Sequence, residues 1–323
     1  MSILEANDIV VEYHRRGRPS VRAVAGATVT VDRGQIVGLV GESGCGKSTL
    51  ARAATGLIPL VSGSIIFDTH ELKPLRRRAR ERHELGLQMV FQNPYSSLNP
   101  RRTVASLLRD GLIESGVEGR AVRAGKVEEL LERVGLPQSA AARFPHQFSG
   151  GQRQRIAIAR ALAVSPSVIV LDEPLASLDT SAQAQIANLL VDLSRSMGLG
   201  LLLISHDLGI VRYIADIVAV MYLGEIVEVG TTKDVWANPL HPYTRALIDA
   251  VPRADGKGAL PSSLPGEVPD PAKPPPGCRF HPRCPVAFEP CGHLTPQLRE
   301  TAAGRRVSCW LHHDPNPDRG EKR

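Results

Sequence analysis

The stretch GESGCGKST covers residues 41–49 and fills the pattern G-x-x-x-x-G-K-[ST] of a phosphate-binding loop. It follows GQIVGLV at 34–40, an apolar run of strand length, and leads into STLARAATGL at 48–57, which has helical spacing. In such a loop, backbone N–H groups turn towards phosphate oxygens, and the start of the next helix attracts the same anion. The pattern therefore predicts a nucleotide site, with Lys47 on the β- and γ-phosphates and Ser48 on Mg²⁺.

A second apolar run, SVIVLDEP at 167–174, ends in two carboxylates. An Asp-Glu pair after an apolar run is common and often marks only the end of a strand. Behind a phosphate-binding loop, however, the carboxyl edge of a parallel sheet is where Mg²⁺ and the nucleotide meet. We therefore expect Asp172 on the metal side and Glu173 beside the water that attacks the γ-phosphate.

A second glycine-rich helix start lies in FSGGQRQRIAIARAL at 148–162. Ser149 followed by Gly150 and Gly151 exposes backbone N–H groups, so an anion can bind there, with the serine hydroxyl as a further donor. One nucleotide cannot readily use both helix starts of one subunit. The segment thus favours two subunits arranged head to tail, each covering the γ-phosphate held by its partner. The alternative is a capping serine with glycines that allow close packing.

Composition limits the class of protein. The chain has 323 residues, of which 42% are hydrophobic, and a net charge of +6. No apolar run approaches the roughly 20 residues that cross a bilayer, and the first residues lack the apolar core of a secretory signal, so we expect neither a membrane span nor export. The positive charge suits either nucleic acid or an anionic membrane surface. The basic run LRRRARERH at 75–83 has no interleaved aromatics, which favours a solvated helix face over a nucleic-acid patch.

Taken in order, these motifs resemble those of the nucleotide-binding subunit of an ABC transporter. The ordered set is GESGCGKST, FQNP (91–94), FSGGQ (148–152), VLDEP (170–174), SLD (177–179) and SH (205–206). The resemblance covers residues 1 to about 230 and implies an α/β fold: a P-loop (RecA-like) ATPase core, an antiparallel β N-terminal part and an inserted α-helical subdomain. A small cysteine-containing extension would follow. The implied boundaries are 1–92 with 166–235 for the core, 93–165 for the helical subdomain, and 236–323 for the extension.

The resemblance also implies roles for individual residues. Gln92 would sense Mg²⁺ and the attacking water, Asp179 would cross the dimer interface, and His206 would hold the γ-phosphate and Glu173. Tyr13 is the candidate for stacking on adenine, although an early tyrosine could equally be a core residue. The expected nucleotide-binding residues are Tyr13, Gly41, Ser43, Gly44, Cys45, Gly46, Lys47, Ser48, Thr49, Ser149, Gly150, Gly151, Gln152 and Asp179. The expected catalytic residues are Lys47, Gln92, Glu173 and His206, and the Mg²⁺ ligands are Ser48, Gln92 and Asp172.

Three further segments narrow the resemblance to importer ATPases for oligopeptides and dipeptides. They are FQNPYSSLNPR at 91–101, NPLHPYTRALI at 238–248 and GCRFHPRCP at 277–285. This implies a sister ATPase in a heterodimer, although a homodimer stays possible, with two transmembrane permeases and an extracytoplasmic substrate-binding protein. The chain would lie peripherally on the cytoplasmic face of the inner membrane and bind no nucleic acid. Related importers carry nickel or glycosides, so the cargo is open.

The cysteines are unevenly distributed. Cys45 lies in the phosphate-binding loop, and we give it no redox role. The other four are Cys278, Cys284, Cys291 and Cys309, after a proline-rich stretch at 260–277. Their spacing lacks the C-x₂-C pairs usual in structural zinc sites. In the importer family the matching cysteines are similar to ligands of a [4Fe–4S] cluster. Zinc, or cysteines without any ligand, are the alternatives.

Two other functions fit parts of this pattern. A soluble ABC ATPase acting on ribosomes or DNA usually has two tandem cassettes or a long coiled coil, whereas this sequence has one phosphate-binding loop and no sustained heptads. A second alternative is a regulatory module in which the cysteine-rich end is the active part and the ATPase acts as a nucleotide-gated clamp. We favour the importer ATPase, with ATP and Mg²⁺ as cofactors.

Overall fold

The computed structural model describes residues 2–14, 17, 19–75, 80–93, 97–251, 266–301 and 304–313. The strands in these ranges are β1 Ser2–Tyr13, β2 Val21–Asp32, β3 Ile36–Val40, β4 Ser62–Phe67, β5 His70–Glu71, β6 Leu87–Val90, β7 Val168–Asp172, β8 Gly200–Ser205, β9 Ile217–Tyr222, β10 Glu225–Thr231, β11 Arg299–Glu300 and β12 Arg306–Val307. The α-helices are α1 Lys47–Ala54, α2 Val104–Glu114, α3 Arg120–Arg133, α4 Gly150–Leu162, α5 Thr180–Met197, α6 Leu208–Ile214, α7 Thr232–Ala237 and α8 Pro242–Asp249.

The central sheet has the strand order β11-β12-β10-β9-β3-β8-β7-β6. Strands β9, β3, β8, β7 and β6 run parallel, and every residue of β3, β7 and β8 is buried. Such continuous burial is expected of parallel strands covered on both faces, and it explains why these strands read as unbroken apolar runs. The expected α/β core is confirmed.

Register brings the functional loops to one edge of this sheet. Val40 at the end of β3 pairs with Ser205 at the end of β8, and Asp172 at the end of β7 pairs with Ile204. Val90, which ends β6, pairs with Leu171. Because parallel strands that end in register release their loops side by side, the segments after β3, β6, β7 and β8 meet at a single carboxyl edge.

A second sheet, with order β2-β1-β4-β5, is antiparallel and packs over α1. One apolar cluster joins its buried side chains to α1 and to Val37 and Leu39 of β3, whereas Ile36 and Val40 belong to the cluster on the opposite face. The alternation along β3 thus divides the core into two layers on either side of the central sheet. The expected antiparallel N-terminal part is confirmed.

Helices α2, α3 and α4 lie in the segment 93–165 where a helical subdomain was predicted. The approach of α2 and α4 is close, because a Cβ on Gly111 would lie 2.9 Å from the Cβ of Ala163. The basic run differs from its prediction. Residues 76–79 lie outside the described residues, and 80–82 are not helical; the Arg80 guanidinium donates a hydrogen bond of 2.8 Å to the Thr55 carbonyl oxygen.

The C-terminal extension joins the core sheet. Strand β12 pairs with β10, and β11 pairs with β12, so this hairpin continues the sheet beyond its β10 edge. The rings of Tyr222 on β9, Tyr243 on α8 and Phe280 pack together, with centroids 4.6 to 5.3 Å apart. The core and the extension therefore share one apolar cluster.

Candidate active site and relatives

The phosphate-binding loop joins β3 to α1, and two of its glycines are required by space. A Cβ on Gly41 would lie 2.1 Å from the Met221 carbonyl oxygen, and one on Gly46 would lie 2.2 Å from the Ala23 carbonyl oxygen. Gly46 also has φ of 109°, a conformation that side chains oppose. It caps α1 without a side-chain hydrogen bond, which leaves the first N–H groups of that helix available to an anion.

Lys47 is almost fully buried beneath this loop. Its Nζ donates hydrogen bonds to the carbonyl oxygens of Gly41, at 2.8 Å, and Glu42, at 2.9 Å. An ammonium group held there by the loop's own carbonyls is positioned beside the helix start that attracts phosphate. The remaining predicted loop residues are Ser43, Gly44 and Cys45, and Cys45 is buried.

Ser48 and Asp172 come together as the expected metal-side pair. The Ser48 hydroxyl donates a hydrogen bond of 2.7 Å to Oδ1 of Asp172, although the two residues are 124 positions apart. Burial raises the pKa of the Asp172 carboxyl, and the hydrogen bond from Ser48 opposes that shift. Two hard oxygen ligands beside the phosphate-binding loop suit Mg²⁺, which binds through few protein ligands and keeps several waters.

Glu173 lies between Gln92 and His206, which are on neighbouring loops. Its Oε2 accepts a hydrogen bond of 3.0 Å from Gln92 Nε2 and lies 3.4 Å from Nδ1 of His206. Its backbone has φ of 45°, unusual for a residue with a side chain, and its N–H donates to the Ile204 carbonyl oxygen at 3.1 Å. Strained backbone of this kind persists where surrounding contacts determine it, and it concentrates at active sites.

Tyr13 ends β1 beside the first turn of α1. Its side chain is 39% exposed, and its hydroxyl lies 3.5 Å from Oγ1 of Thr49. Tyr13 is therefore a partly exposed side chain next to the phosphate-binding helix rather than a core residue. Its role in adenine stacking stays a prediction.

The second glycine-rich helix start forms as the sequence indicates. Ser149 caps α4: its Oγ accepts from the Gln152 N–H at 3.3 Å, and Gln152 Oε1 accepts from the Ser149 N–H at 3.1 Å. Both the capping interpretation and the anion-binding interpretation are compatible with this geometry. Asp179 caps α5, and its Oδ1 accepts from the Ala182 N–H at 2.9 Å. Hydrogen bonds from the Ala182 N–H and the Ser181 side chain hold the pKa of Asp179 below its usual range.

The chain packs closely around Gly150 and Gly151. A Cβ on Gly150 would lie 3.2 Å from Leu178 Cδ2, and one on Gly151 would lie 3.2 Å from the Ala182 Cβ. These contacts place the start of α4 against the segment that leads into α5. The two motifs expected at a subunit interface are thus neighbours within one chain.

All four C-terminal cysteines line one largely apolar cavity together with Phe280, Phe288 and the buried imidazole of His241. They are free thiols. Burial raises the pKa of Cys278 to about 12 and that of Cys309 to about 11. Within the described ranges, no three His, Cys, Asp or Glu side chains form a group that could hold a metal ion.

Two contacts at the phosphate-binding loop were not predicted from the sequence. Arg283 of the extension pairs with Glu42, and the Tyr243 hydroxyl accepts a hydrogen bond from the Glu42 N–H. These partners lie 241 and 201 positions from Glu42. NPLHPYTRALI and GCRFHPRCP marked both segments, but no pattern within them indicates which loop they touch.

Family comparisons agree with this geometry. A family model described as ABC transporter matches residues 24–176, and one described as Oligopeptide/dipeptide transporter, C-terminal region, matches residues 227–291. The chain is similar to a protein of Brucella abortus (strain 2308) named as a peptide import ATP-binding protein, with 47% identity over 96% of this chain and 94% of the relative. A Brucella ovis protein of the same description is 43% identical over 95% of this chain and 97% of the relative.

Solved structures give the same fold. cbiO1 from Clostridium perfringens, part of the ABC transporter complex cbiONQ, has a TM-score of 0.63 and 29% identity over 73% of this chain and 91% of that one. The ATP-binding cassette MJ0796, a dimer in a post-hydrolysis state bound to ADP and Pi, has a TM-score of 0.61 and 25% identity over 71% and 98%. None of the helices described for this chain is long and apolar enough to cross a membrane. The chain therefore belongs to the ABC transporter family, in which it is an ATP-hydrolysing, ATP-binding subunit with an oligopeptide/dipeptide transporter C-terminal region.

Proposed function

We propose that this ATPase energises the import of peptides through a membrane transporter. The observation that carries the proposal is the likeness, over nearly the whole length of both chains, to proteins named as peptide import ATP-binding proteins. The match to a C-terminal region named for oligopeptide and dipeptide transporters supports the same cargo class. Nickel and glycosides are the cargoes against which peptides are to be tested.

The proposed hydrolytic roles follow from the carboxyl edge of the central sheet. Lys47 and the N–H groups at the start of α1 bind the β- and γ-phosphates, and Ser48 with Asp172 holds Mg²⁺. Glu173 orients the attacking water and accepts its proton, His206 holds Glu173 and the γ-phosphate, and Gln92 contacts Glu173, Mg²⁺ and the attacking water. Catalysis then consists mainly of positioning and charge stabilisation, as is general for phosphoryl transfer.

ATP would be sandwiched between two ATPase subunits, with Ser149, Gly150, Gly151 and Gln152 of one covering the γ-phosphate of the other. The exposed position of Ser149 and Gly150 supports this arrangement, as does the dimeric form of MJ0796. Closure would complete both sites and drive alternating access, and hydrolysis would reopen the pair. Asp179, next to this surface, would contact the partner.

The proposed complex contains a homologous second ATPase, two transmembrane permeases and an extracytoplasmic substrate-binding protein. The chain would attach peripherally at the cytoplasmic face of the inner membrane, through its helical subdomain. The domain boundaries 1–92 with 166–235, 93–165 and 236–323 remain part of this proposal.

We further propose that the four C-terminal cysteines hold a [4Fe–4S] cluster. The donor set fits, because four thiols line a single cavity and such a cluster takes four thiolates. The thiolates of a cluster bind different irons, so they lie farther apart than the ligands of one ion. When bound, the cluster would supply a cross-link between the turns that carry the cysteines. Zinc is the alternative, although in the described part of the chain no three of these thiols lie close enough together to hold one ion.

Transport is tested with the full-length chain, produced with its permeases and sister ATPase and reconstituted in vesicles with the binding protein. We expect ATP-dependent accumulation of labelled di- and oligopeptides. Accumulation of nickel or a glycoside in place of peptides would overturn the cargo assignment. ATP hydrolysis that is fully active without the permeases and acts on ribosomes or DNA would overturn the transport function.

The cluster is tested separately on anaerobically purified protein. We expect a brown sample that contains about four iron atoms and about four sulfide ions per chain. The Cys291→Ala variant should lack the colour. A colourless sample with one zinc per chain, or with no metal, would refute the cluster without affecting the ATPase assignment.

A further inference from the structure

The C-terminal extension holds one residue of the phosphate-binding loop at two points. The Glu42 backbone N–H donates a hydrogen bond of 2.9 Å to the Tyr243 hydroxyl. The Glu42 carboxylate accepts two hydrogen bonds from the Arg283 guanidinium, of 2.7 Å from Nη1 and 3.0 Å from Nη2. Such a bidentate pair fixes orientation as well as charge.

This contact is removed from water. The Arg283 side chain is only 3% exposed and that of Glu42 18%, and Tyr243 is fully buried. The guanidinium also lies against Tyr222, whose hydroxyl is 3.4 Å from Nη1. Because breaking one side of a buried charge pair leaves the other charge uncompensated, the pair constrains Glu42 strongly.

Glu42 connects the extension to Lys47. Its N–H is bound by Tyr243, and its carbonyl oxygen accepts the hydrogen bond of 2.9 Å from Lys47 Nζ. A shift of Glu42 would therefore move one of the carbonyl oxygens that hold the Lys47 ammonium group, which is proposed to bind the phosphates. The path runs through direct contacts, from α8 and the turn His281–Arg283 to the loop.

Charge gives a second reason for the contact. A carboxylate in a loop that binds the phosphates of ATP opposes the negative charge of its ligand. Arg283 supplies the compensating positive charge at hydrogen-bond distance. Without it, Glu42 would weaken the electrostatic attraction that the loop and Lys47 provide.

We infer that Arg283 and Tyr243 are positioning residues of the ATP site, which hold Glu42 so that the phosphate-binding loop keeps its shape and the Glu42 charge is neutralised. The ATP site thus extends beyond the ABC cassette into the C-terminal extension. Arg283 directly precedes Cys284, so the turn that orients the guanidinium also carries one of the cavity thiols. This role of Arg283 and Tyr243 would be the same whatever cargo the transporter carries.

The test measures ATP binding and steady-state ATPase kinetics of the full-length chain. Arg283→Met keeps most of the side-chain volume but removes the charge, and we expect it to weaken ATP binding about tenfold, with KM rising more than kcat falls. The double variant with Glu42→Gln should recover most of the lost affinity, since the unpaired carboxylate is then gone. Arg283→Lys should give partial recovery.

Arg305→Met is the matched control. Arg305 also joins the extension to the core beside a buried glutamate, with its Nη1 3.8 Å from Oε1 of Glu228, and it donates to the carbonyl oxygens of Asp234 and Asn238. None of these three partners belongs to the loop 41–46. We expect a comparable loss of thermal stability with ATP affinity changed less than about twofold.

Tyr243→Phe gives an independent measurement if Arg283→Met does not fold, because it removes only the hydroxyl that accepts from the Glu42 N–H. We expect a several-fold rise in KM for ATP. Equal ATP affinity of the Arg283 and Arg305 variants would overturn the inference, as would failure of Glu42→Gln to restore binding. If neither folded, unchanged KM in Tyr243→Phe would overturn it.

Discussion

At the scale of single residues, Glu173 shows how the fold positions the carboxylate that we propose as the catalytic base. The backbone at Glu173 is strained, and its side chain lies between Gln92 and His206. Each of these residues follows a different strand, so their meeting depends on the strands ending in register. The local sequence after β7 predicted the carboxylate, and the sheet provides its two partners.

Glu173→Gln should stop hydrolysis and leave ATP binding intact. The amide keeps the size of the side chain but cannot accept a proton, so we expect turnover to fall at least about 100-fold. ATP-dependent dimers should accumulate, which gel filtration with bound nucleotide would detect. Glu128→Gln, an exposed position on α3, is the control and should hydrolyse ATP normally. Brisk hydrolysis by the Glu173 variant would refute the assigned base.

Asp172→Asn should stabilise the nucleotide-free protein while removing its Mg²⁺-dependent activity. Burial raises the pKa of Asp172 above its unfolded value, so the native state favours the protonated carboxyl. The contribution of the Asp172 carboxyl to the free energy of unfolding is therefore complete below its pKa in the unfolded chain. This contribution is lost as the pH rises through the raised pKa of the native state. At pH 8 the charged carboxylate lowers the free energy of unfolding, and asparagine removes that cost.

The measurement is the melting temperature of both proteins without Mg²⁺ or nucleotide, from pH 8 down towards the unfolded pKa of about 3.9. The variant should melt higher at pH 8, and the difference should shrink as the pH falls through the raised native pKa. A variant that melts lower at pH 8 would show that the lost charge had been stabilising.

At the scale of elements, α4 combines a cap with a proposed ligand surface. Ser149 and Gln152 satisfy each other's backbone N–H groups, which explains why the helix starts at Gly150. The same residues are proposed to cover the partner's γ-phosphate. The capping role of Ser149 therefore predicts an effect on stability, whereas the proposed contact with the partner's γ-phosphate predicts an effect on ATPase activity.

Ser149→Ala should lower the free energy of unfolding by about 1 kcal/mol, because an N-cap hydrogen bond is lost. It should also reduce ATPase activity strongly, since a donor to the γ-phosphate is removed. Thr103→Ala is the matched control: Thr103 caps α2 in the same subdomain by accepting from the Ser106 N–H. Denaturant unfolding should give similar losses for both, whereas ATPase activity should fall only in the Ser149 variant. Equal activity in the two would leave Ser149 as a cap alone.

At the scale of the whole molecule, the extension and the core form one sheet and share one apolar cluster. Glu228 on β10 is fully buried, and its carboxylate accepts from the N–H groups of Leu240 and His241, at 3.0 and 2.9 Å. Arg305, just before β12, lies 3.8 Å from it and donates to the carbonyl oxygens of Asp234 and Asn238 near the end of α7. This network ties the β11–β12 hairpin to the core.

Arg305→Met should therefore lower the free energy of unfolding by about 3 kcal/mol, because Glu228 would keep a buried charge without its cationic partner. Arg299→Met, at an exposed position on β11, should change it by less than about 0.5 kcal/mol. Urea unfolding of the full-length proteins measures both. A small effect at Arg305 would mean that the backbone N–H groups alone satisfy Glu228.

Much of this arrangement follows from the sequence alone. The residues 41–49 predict the loop, the helix start and Lys47, and the run ending at Asp172 predicts the metal-side carboxylate, because these motifs impose local backbone geometry and lie at the ends of apolar strands. The antiparallel N-terminal part and the helical subdomain were expected only through family resemblance. The charge pattern of the basic run predicts a helix face, but it does not reveal that Arg80 bonds to the Thr55 carbonyl oxygen, and the described residues 80–82 are not helical.

Tertiary structure alone decided which distant residues reach the site. Glu42 occupies a position that the phosphate-binding pattern leaves unspecified, and Arg283 lies 241 residues away in a turn between cysteines. Their pairing requires β9, α8 and the extension to pack around the rings of Tyr222, Tyr243 and Phe280. Local patterns determine backbone conformation over a few residues, whereas a buried ion pair between remote segments depends on how complete layers pack, and no short stretch of sequence carries that information.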